Sequence, residues 1–256
     1  MRLSVIIPTF NRRRTLAFCL HRLELQSLPA TDFEVLVGDD GSSDGTLEML
    51  RAIATPFKLT ISQTGSPPGV NGVTRAMNLG LEKASGEYVF FLDNDMLLKR
   101  NALEEVLMTL EEWKARGEDV LVRGWWKDSR IIRRFQMDSY DYRHDVEKNE
   151  KLRALLEQKD DLPVEMVHAA QMGLRRDLAQ HVGGLPADNT EYGFDKQKEF
   201  QHRLKDRLGM RFVFNPEVFG LHGPMRGDAT RFDYSNCPRR PRRWQRALSR
   251  LPGRSS

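Results

Sequence analysis

The sequence predicts an α/β fold in which a mostly parallel sheet carries helices on both faces. Strand-like runs rich in β-branched and aromatic residues recur at Leu3–Pro8, Phe33–Val37, Phe57–Ser62 and Tyr88–Leu92. Segments with apolar residues at helical spacing lie between them, which is the alternation expected of a sheet covered on both sides. Three of the runs end in polar clusters: Pro8-Thr9, Asp39-Asp40 and Asp93-Asn94-Asp95. Ligands of such sheets bind outside the carboxyl ends of the strands, so the three clusters are expected to meet in one crevice.

The elements follow in order. Leu3–Pro8 reads as a buried strand stopped by proline, and Thr15–Gln26 as an amphipathic helix with Leu16, Cys19, Leu20 and Leu23 on one face. The strand Phe33–Val37 leads into Gly38-Asp39-Asp40-Gly41-Ser42-Ser43-Asp44-Gly45, where Ser42-Ser43 are expected to cap a helix over Thr46–Ala54. A third strand, a glycine- and proline-rich loop (Gly65–Gly72) and a helix over Val73–Ala84 precede the strand Tyr88–Leu92. Asn101–Arg116 patterns as a helix and Val120–Trp126 as a strand. The charged stretch Lys127–Asp161 fits either a lid over the crevice or an insertion that reads the acceptor. Helices over Arg176–His181 and Lys196–Leu208 and strands at Phe212–Phe214 and Val218–His222 complete the pattern.

Composition narrows the class. The 256 residues are 39% hydrophobic and 30% charged, and no apolar run approaches the ~20 residues a membrane span needs. Two cysteines without metal-like spacing argue against structural zinc and for a reducing, cytoplasmic setting. The formal charge of +4 comes from seven arginines between Arg239 and Arg254, without which it is about −3. The basic character therefore belongs to a tail, and no nucleic acid is expected as a partner. Either a solvated tail or peripheral contact with the inner face of a membrane fits it, with Trp244, Leu248 and Leu251 as apolar anchors.

Two carboxylates one residue apart at a strand end, Asp93 and Asp95, can converge on a divalent cation. Hard oxygen ligands suit Mg²⁺ or Mn²⁺, which keep positions open for substrate phosphate. One carboxylate of Asp39-Asp40 can accept a base imide N–H or a ribose hydroxyl. The position after the first strand holds Pro8-Thr9-Phe10-Asn11-Arg12, so the glycine-rich phosphate loop of nucleotidyltransferases and dinucleotide-binding dehydrogenases is missing.

Taken together, Val5-Ile6-Ile7-Pro8-Thr9-Phe10-Asn11-Arg12, Gly38-Asp39-Asp40-Gly41-Ser42-Ser43-Asp44-Gly45-Thr46, Asn78-Leu79-Gly80-Leu81, Gly86 to Asp95, Arg175-Arg176 and Val182-Gly183-Gly184 resemble a family 2 glycosyltransferase of the GT-A fold. The resemblance spans about Leu3 to Gly223. It implies inverting sugar transfer from a nucleotide-sugar donor to a glycan or lipid-linked acceptor in polysaccharide or cell-envelope synthesis. It also implies a division into a nucleotide-sugar-binding half (1–97), an acceptor-binding and catalytic half (98–228) and a basic tail (229–256).

Site residues follow from the same resemblance. Pro8, Thr9, Asp39, Asp40, Arg75, Asp93 and Asn94 are expected at the donor. Asp95, Asp93 and His222 are expected at the Mn²⁺ or Mg²⁺ ion, whose work is to stabilise the diphosphate leaving group. Relatives place a catalytic carboxylate in a Glu-Asp pair at the start of a helix ending in Arg-Leu. Here Arg203-Leu204 keeps the helix end, but the pair has become Asp195-Lys196, so Asp195 is the expected base, with Glu191 and Glu199 as fallbacks. Trp125, Trp126 and Tyr192 are candidate platforms for a sugar ring. The departure at the pair keeps an alternative open, a non-catalytic scaffold that binds a nucleotide sugar or glycan.

Overall fold

A computed structural model of the chain describes residues 1–66, 72–128, 137–167, 171–186 and 193–223. The first half alternates as the pattern requires: β1 (Leu3–Thr9), α1 (Arg13–Glu24), β2 (Phe33–Asp39), α2 (Thr46–Ala52), β3 (Lys58–Gln63), α3 (Val73–Lys83) and β4 (Tyr88–Leu92). The second half adds β5 (Met96–Leu98), α4 (Ala102–Ala115), β6 (Val120–Asp128), α5 (Arg143–Val146), α6 (Glu150–Glu157), β7 (Gln171–Arg175), α7 (Arg176–His181), α8 (Gly193–Leu208) and β8 (Arg211–His222).

All eight strands form one sheet in the order β3-β2-β1-β4-β7-β6-β8-β5. β1 to β4 are parallel, and β8 runs parallel to β6. β7 is antiparallel to both of its neighbours, and β5 is antiparallel to β8. Alternating side chains feed two cores. Val5, Ile7 and Phe90 pack with α1, α2 and α4 on one face, while Ile6, Phe91 and Met172 pack with α3, α6, α7 and α8 on the other.

Close packing places α3. A Cβ on Gly38 would stand 2.5 Å from the Ala76 carbonyl oxygen, so the helix can approach β2 only because residue 38 has no side chain. Asn78 of α3 then clamps the turn after α7, donating to the Leu185 carbonyl (2.7 Å) and accepting from its N–H (2.9 Å).

At the amino ends of the strands, Glu34 is fully buried and fully paired. It accepts from Ser4 Oγ (2.8 Å), Ser85 N and Oγ (both 2.7 Å) and Lys58 Nζ (2.8 Å). Burial opposes its charge, but these donors, Lys58 foremost, outweigh it and bring its pKa down to about 2.

The structure departs from the sequence pattern in four places. Pro8 lies inside β1 and does not stop it. β5 and β7 were not expected. The two runs at 212–214 and 218–222 are one strand, loosened around Asn215-Pro216-Glu217, where the register with β6 shifts. Finally, the described part of the charged stretch is packed against the sheet. Tyr140, Leu152 and Leu155 are buried, and the Tyr140 ring stacks on Phe219 with centroids 3.9 Å apart. Trp125 Nε1 donates to Tyr140 Oη (2.9 Å), which donates to Asp145 (2.7 Å), and Lys127 holds the same carboxylate at 2.6 Å.

Candidate functional site

The carboxyl ends of β1 and β2 bring Thr9 beside Asp39 in register. Asp39 is fully buried. Its Oδ2 accepts the backbone N–H groups of Gly41 (3.1 Å) and Ser42 (3.0 Å), folding the turn back over the strand end. Its Oδ1 and the Thr9 hydroxyl are buried without a hydrogen-bond partner among the described residues. A buried carboxylate oxygen left bare is costly unless something supplies a donor.

Asp40 is occupied differently. Its two oxygens accept Gly72 N (2.7 Å) and Thr64 Oγ1 (2.5 Å), which fastens the end of the glycine loop to β2. Arg75 lies one turn beyond that anchor, at the start of α3. The rest of the turn is tied to the end of β1. Asn11, in the left-handed region at φ 52°, accepts from Ser43 N and receives Ser42 Oγ as acceptor for its own N–H, both at 2.8 Å. The two serines do not cap α2, whose N-cap is Gly45 without a side-chain cap; Asp44, just before it, accepts from Thr46 N (3.1 Å) and from Arg13 N (3.0 Å).

Beyond β4 the chain turns through Asp93-Asn94-Asp95. Asn94 Nδ2 donates to the Pro8 carbonyl (2.8 Å), joining this turn to the end of β1. The short β5 pairs antiparallel with β8, setting Met96 opposite His222, and Gly223 N donates to the Asp95 carbonyl (2.8 Å). That pairing carries His222 across 127 residues of sequence to Asp95, with Nε2 3.3 Å from Oδ1. One ligand atom each from Asp93, Asp95 and His222 lie within 4.8 Å of one another.

The electrostatics of this cluster are those of an unbalanced site. Burial, and then the charge of Asp95, push Asp93 up to about 6. Burial works against a charged His222, but the adjacent Asp95 and Asp93 prevail and raise its pKa. Two carboxylates and one imidazole nitrogen held this close fit a divalent cation, which would relieve the repulsion that raises Asp93.

The model of the family described as "Glycosyl transferase family 2" matches residues 4–183. The chain belongs to glycosyltransferase family 2. Among curated relatives, the poly(ribitol-phosphate) beta-N-acetylglucosaminyltransferase TarS of Staphylococcus aureus is 35% identical over 112 residues, 44% of this chain but 19% of TarS. Among solved structures, S. aureus TarS 1–349 in complex with UDP-GlcNAc superposes with a TM-score of 0.65 at 19% identity, covering 89% of this chain and 60% of that one. The mannosyltransferase PcManGT of Pyrobaculum calidifontis, in complex with GDP-Man and Mn²⁺, gives 0.64 at 24% identity over 88% and 58% of the two chains. These likenesses establish the GT-A fold.

The remaining expected residues of this family 2 glycosyltransferase sit on α8 and β6. Asp195 lies exposed in the first turn of α8. The opposite side of that helix is buried through Lys196, Gln197, Phe200, Gln201 and Leu204, with Gln197 Nε2 3.8 Å from the Met77 sulfur of α3. Glu199 pairs with Arg203 one turn on. Glu191 and Tyr192 fall outside the described residues, as does the basic tail. The tryptophans differ: Trp125 is core, edge-on to Phe214, whereas Trp126 is half-buried with its ring 5.1 Å from that of His222. Arg175 and Arg176 serve the scaffold, Arg175 bridging Asp119 and Asp177 and Arg176 donating to the Ala84 carbonyl (2.9 Å).

Proposed function

We propose that this protein transfers a sugar from a nucleotide-sugar donor to a glycan or lipid-linked acceptor of the cell envelope. The observation that carries the reading is the placement of two acidic groups at strand ends on either side of β1: the bare Asp39 Oδ1 beside Thr9, and the Asp93-Asp95-His222 cluster. The first suits the N–H of a base or a ribose hydroxyl, the second a cation-bound diphosphate. Relatives whose solved complexes contain UDP-GlcNAc, or GDP-Man with Mn²⁺, lend support.

In this reading residues 1–97 hold the donor. Asp39 and Thr9 receive the nucleoside, Asp40 keeps the glycine loop in place, Asn94 and the Pro8 carbonyl brace the turn, and Arg75 faces the diphosphate. Asp93, Asp95 and His222 would hold Mn²⁺ or Mg²⁺. When bound, the ion supplies Lewis-acid stabilisation of the departing diphosphate. Residues 98–228 present the acceptor. Asp195 takes the proton of its hydroxyl as that oxygen bonds to the anomeric carbon, opposite the breaking bond to the diphosphate, so configuration inverts. Trp126, beside His222, offers its face to a sugar ring. The arginine-rich tail is assigned to peripheral contact with an anionic membrane on the cytoplasmic side.

Donor screening tests this directly. UDP-, GDP- and dTDP-sugars are added with Mn²⁺ or with EDTA, and melting temperature and nucleoside diphosphate release are followed. One nucleotide class should stabilise the protein only with metal, and Asp195→Asn should stop release while leaving that stabilisation intact. Binding without any turnover would favour the scaffold alternative, to which the buried Lys196 beside Asp195 lends support. No binding of any donor would refute the transferase and leave only a glycan-binding scaffold.

A further inference from the structure

Arg123 lies in the middle of β6, on the face covered by α6 and α8. It is 1% exposed, and Nε, Nη1 and Nη2 are all buried without a hydrogen-bond partner among the described residues. Its nearest compensation is the Phe214 ring, with Cζ 5.6 Å from the centroid. A face-on ring offsets only part of the desolvation of a guanidinium, and five N–H donors remain unspent. Burial accordingly pushes the group down to about 10.

The surroundings add a second cation. Lys151, exposed on α6, has its pKa lowered by partial burial and by the charge of Arg123. No carboxylate pairs with it among the described residues; its ammonium rests 5.8 Å from the Trp126 ring centroid. On the same face Gln201 of α8 touches the sulfur of Met172 (3.0 Å), the residue paired with Arg123 across β7, and its Oε1 is buried and unpartnered. These groups point at a partner that the described residues do not provide.

Position says which molecule brings it. Lys151 touches Trp126, Trp126 lies against His222, and His222 against Asp95, so the cation pair stands two ring contacts from the metal cluster, within the half assigned to the acceptor. We infer that Arg123 and Lys151 form a binding site for a phosphate group of the acceptor, Arg123 as the buried fork and Lys151 as the entrance. A planar guanidinium with an adjacent ammonium suits phosphate geometry and charge. The inference rests on the transferase reading for the word acceptor, but the anion site itself can be tested without turnover.

The test uses the full chain with EDTA, so that the metal cluster holds no phosphate. Inorganic phosphate is titrated at constant ionic strength and melting is followed. Phosphate should raise the melting temperature of the unmodified protein by several degrees and leave Arg123→Met unmoved. Without phosphate, Arg123→Met should melt above the unmodified protein, because it removes an unpaired buried charge. Lys151→Glu, at an exposed position, should abolish the phosphate response and shift basal melting little, which keeps the test decisive if Arg123→Met fails to fold. Donor binding with Mn²⁺ should be unchanged in both variants.

Bis-glycerol phosphodiester and geranyl diphosphate, added in turn, distinguish a polymer phosphate from a lipid diphosphate by which one protects. Protection by neither, a destabilised Arg123→Met that ignores phosphate, or a variant that loses donor binding would each overturn the assignment. Phosphate protection in a protein that binds no nucleotide sugar would leave the anion site standing and remove the transferase reading instead.

Discussion

The sheet buries carboxylates at both ends of its strands and treats them in opposite ways. At the amino end Glu34 receives four hydrogen bonds from serines, a backbone N–H and a lysine, and its pKa falls to about 2. At the carboxyl end Asp93 is crowded by Asp95 in a half-buried turn, and its pKa rises to about 6. Asp39 stands between these cases, one oxygen satisfied by its own turn and the other bare. Burial alone is thus uninformative about an acid. Whether the protein supplies the matching donors separates an acid that holds the fold together from one kept for a ligand.

Substitutions at the two ends should therefore differ in kind. The largest effect is expected from Asp95→Ala, which should reduce sugar transfer by ~10³-fold or more and remove metal-dependent stabilisation, with little loss of metal-free stability. Kinetics and melting curves with and without Mn²⁺ check both halves of that statement. A metal-free Asp95→Ala that unfolds would mean this end, too, is structural.

Glu34→Gln should show the reverse, full donor affinity in a weakened fold. A folded pKa depressed from 4.5 to about 2 contributes stability that is complete above pH ~4.5 and lost as the pH falls toward 2. The substitution should cost about 3 kcal/mol at neutral pH and flatten the acid limb of the stability profile. Urea unfolding at several pH values between 3 and 7 reads this. A variant as stable as the parent at pH 7 would remove the contrast.

Asp39→Asn tests the intermediate case. An amide oxygen can still serve the turn, so melting should change little, while nucleotide affinity should fall ~10- to 100-fold from loss of a charge-assisted hydrogen bond. Isothermal titration with the nucleoside diphosphate measures it. Asp40→Ala, whose partners are the loop backbone and Thr64, should weaken donor binding less and stability more, by about 1–2 kcal/mol.

Legibility followed how local each feature is. β1, β2 and β4 and their terminal acids could be read because strand, turn and carboxylate lie within about ten residues of one another. Asp95 and His222 could be joined only through the family resemblance, since their contact depends on β5, three residues with no pattern of their own, pairing with β8. β7 was hidden because Gln171, Gly173 and Arg175 interrupt its apolar signal, and its conformation is imposed by β4 and β6 on either side. The stretch Lys127–Asp161 reads as charged, yet Leu152 and Leu155, one helical turn apart, bury that side of α6. Arg123 and Glu34 were invisible for one reason: a charge inside a strand run looks like an outward-facing residue until the sheet is covered on both sides. The fully bonded role of Asp40 could not be read either, because its partners Thr64 and Gly72 come from the next strand and loop.

Nucleotide binding at the carboxyl end of the sheet is what the bare and crowded acids there are arranged for. Isothermal titration of the donor nucleotide identified by screening, with Mn²⁺ and then with EDTA, against the parent, Asp39→Asn and Asp93→Asn, isolates it. The expected result is tight binding by the parent only with metal, weakened binding in Asp39→Asn that still requires metal, and weak, metal-indifferent binding in Asp93→Asn. Equal, metal-independent binding by all three proteins would contradict the account, for the bare acids at these strand ends would then have no ligand to meet.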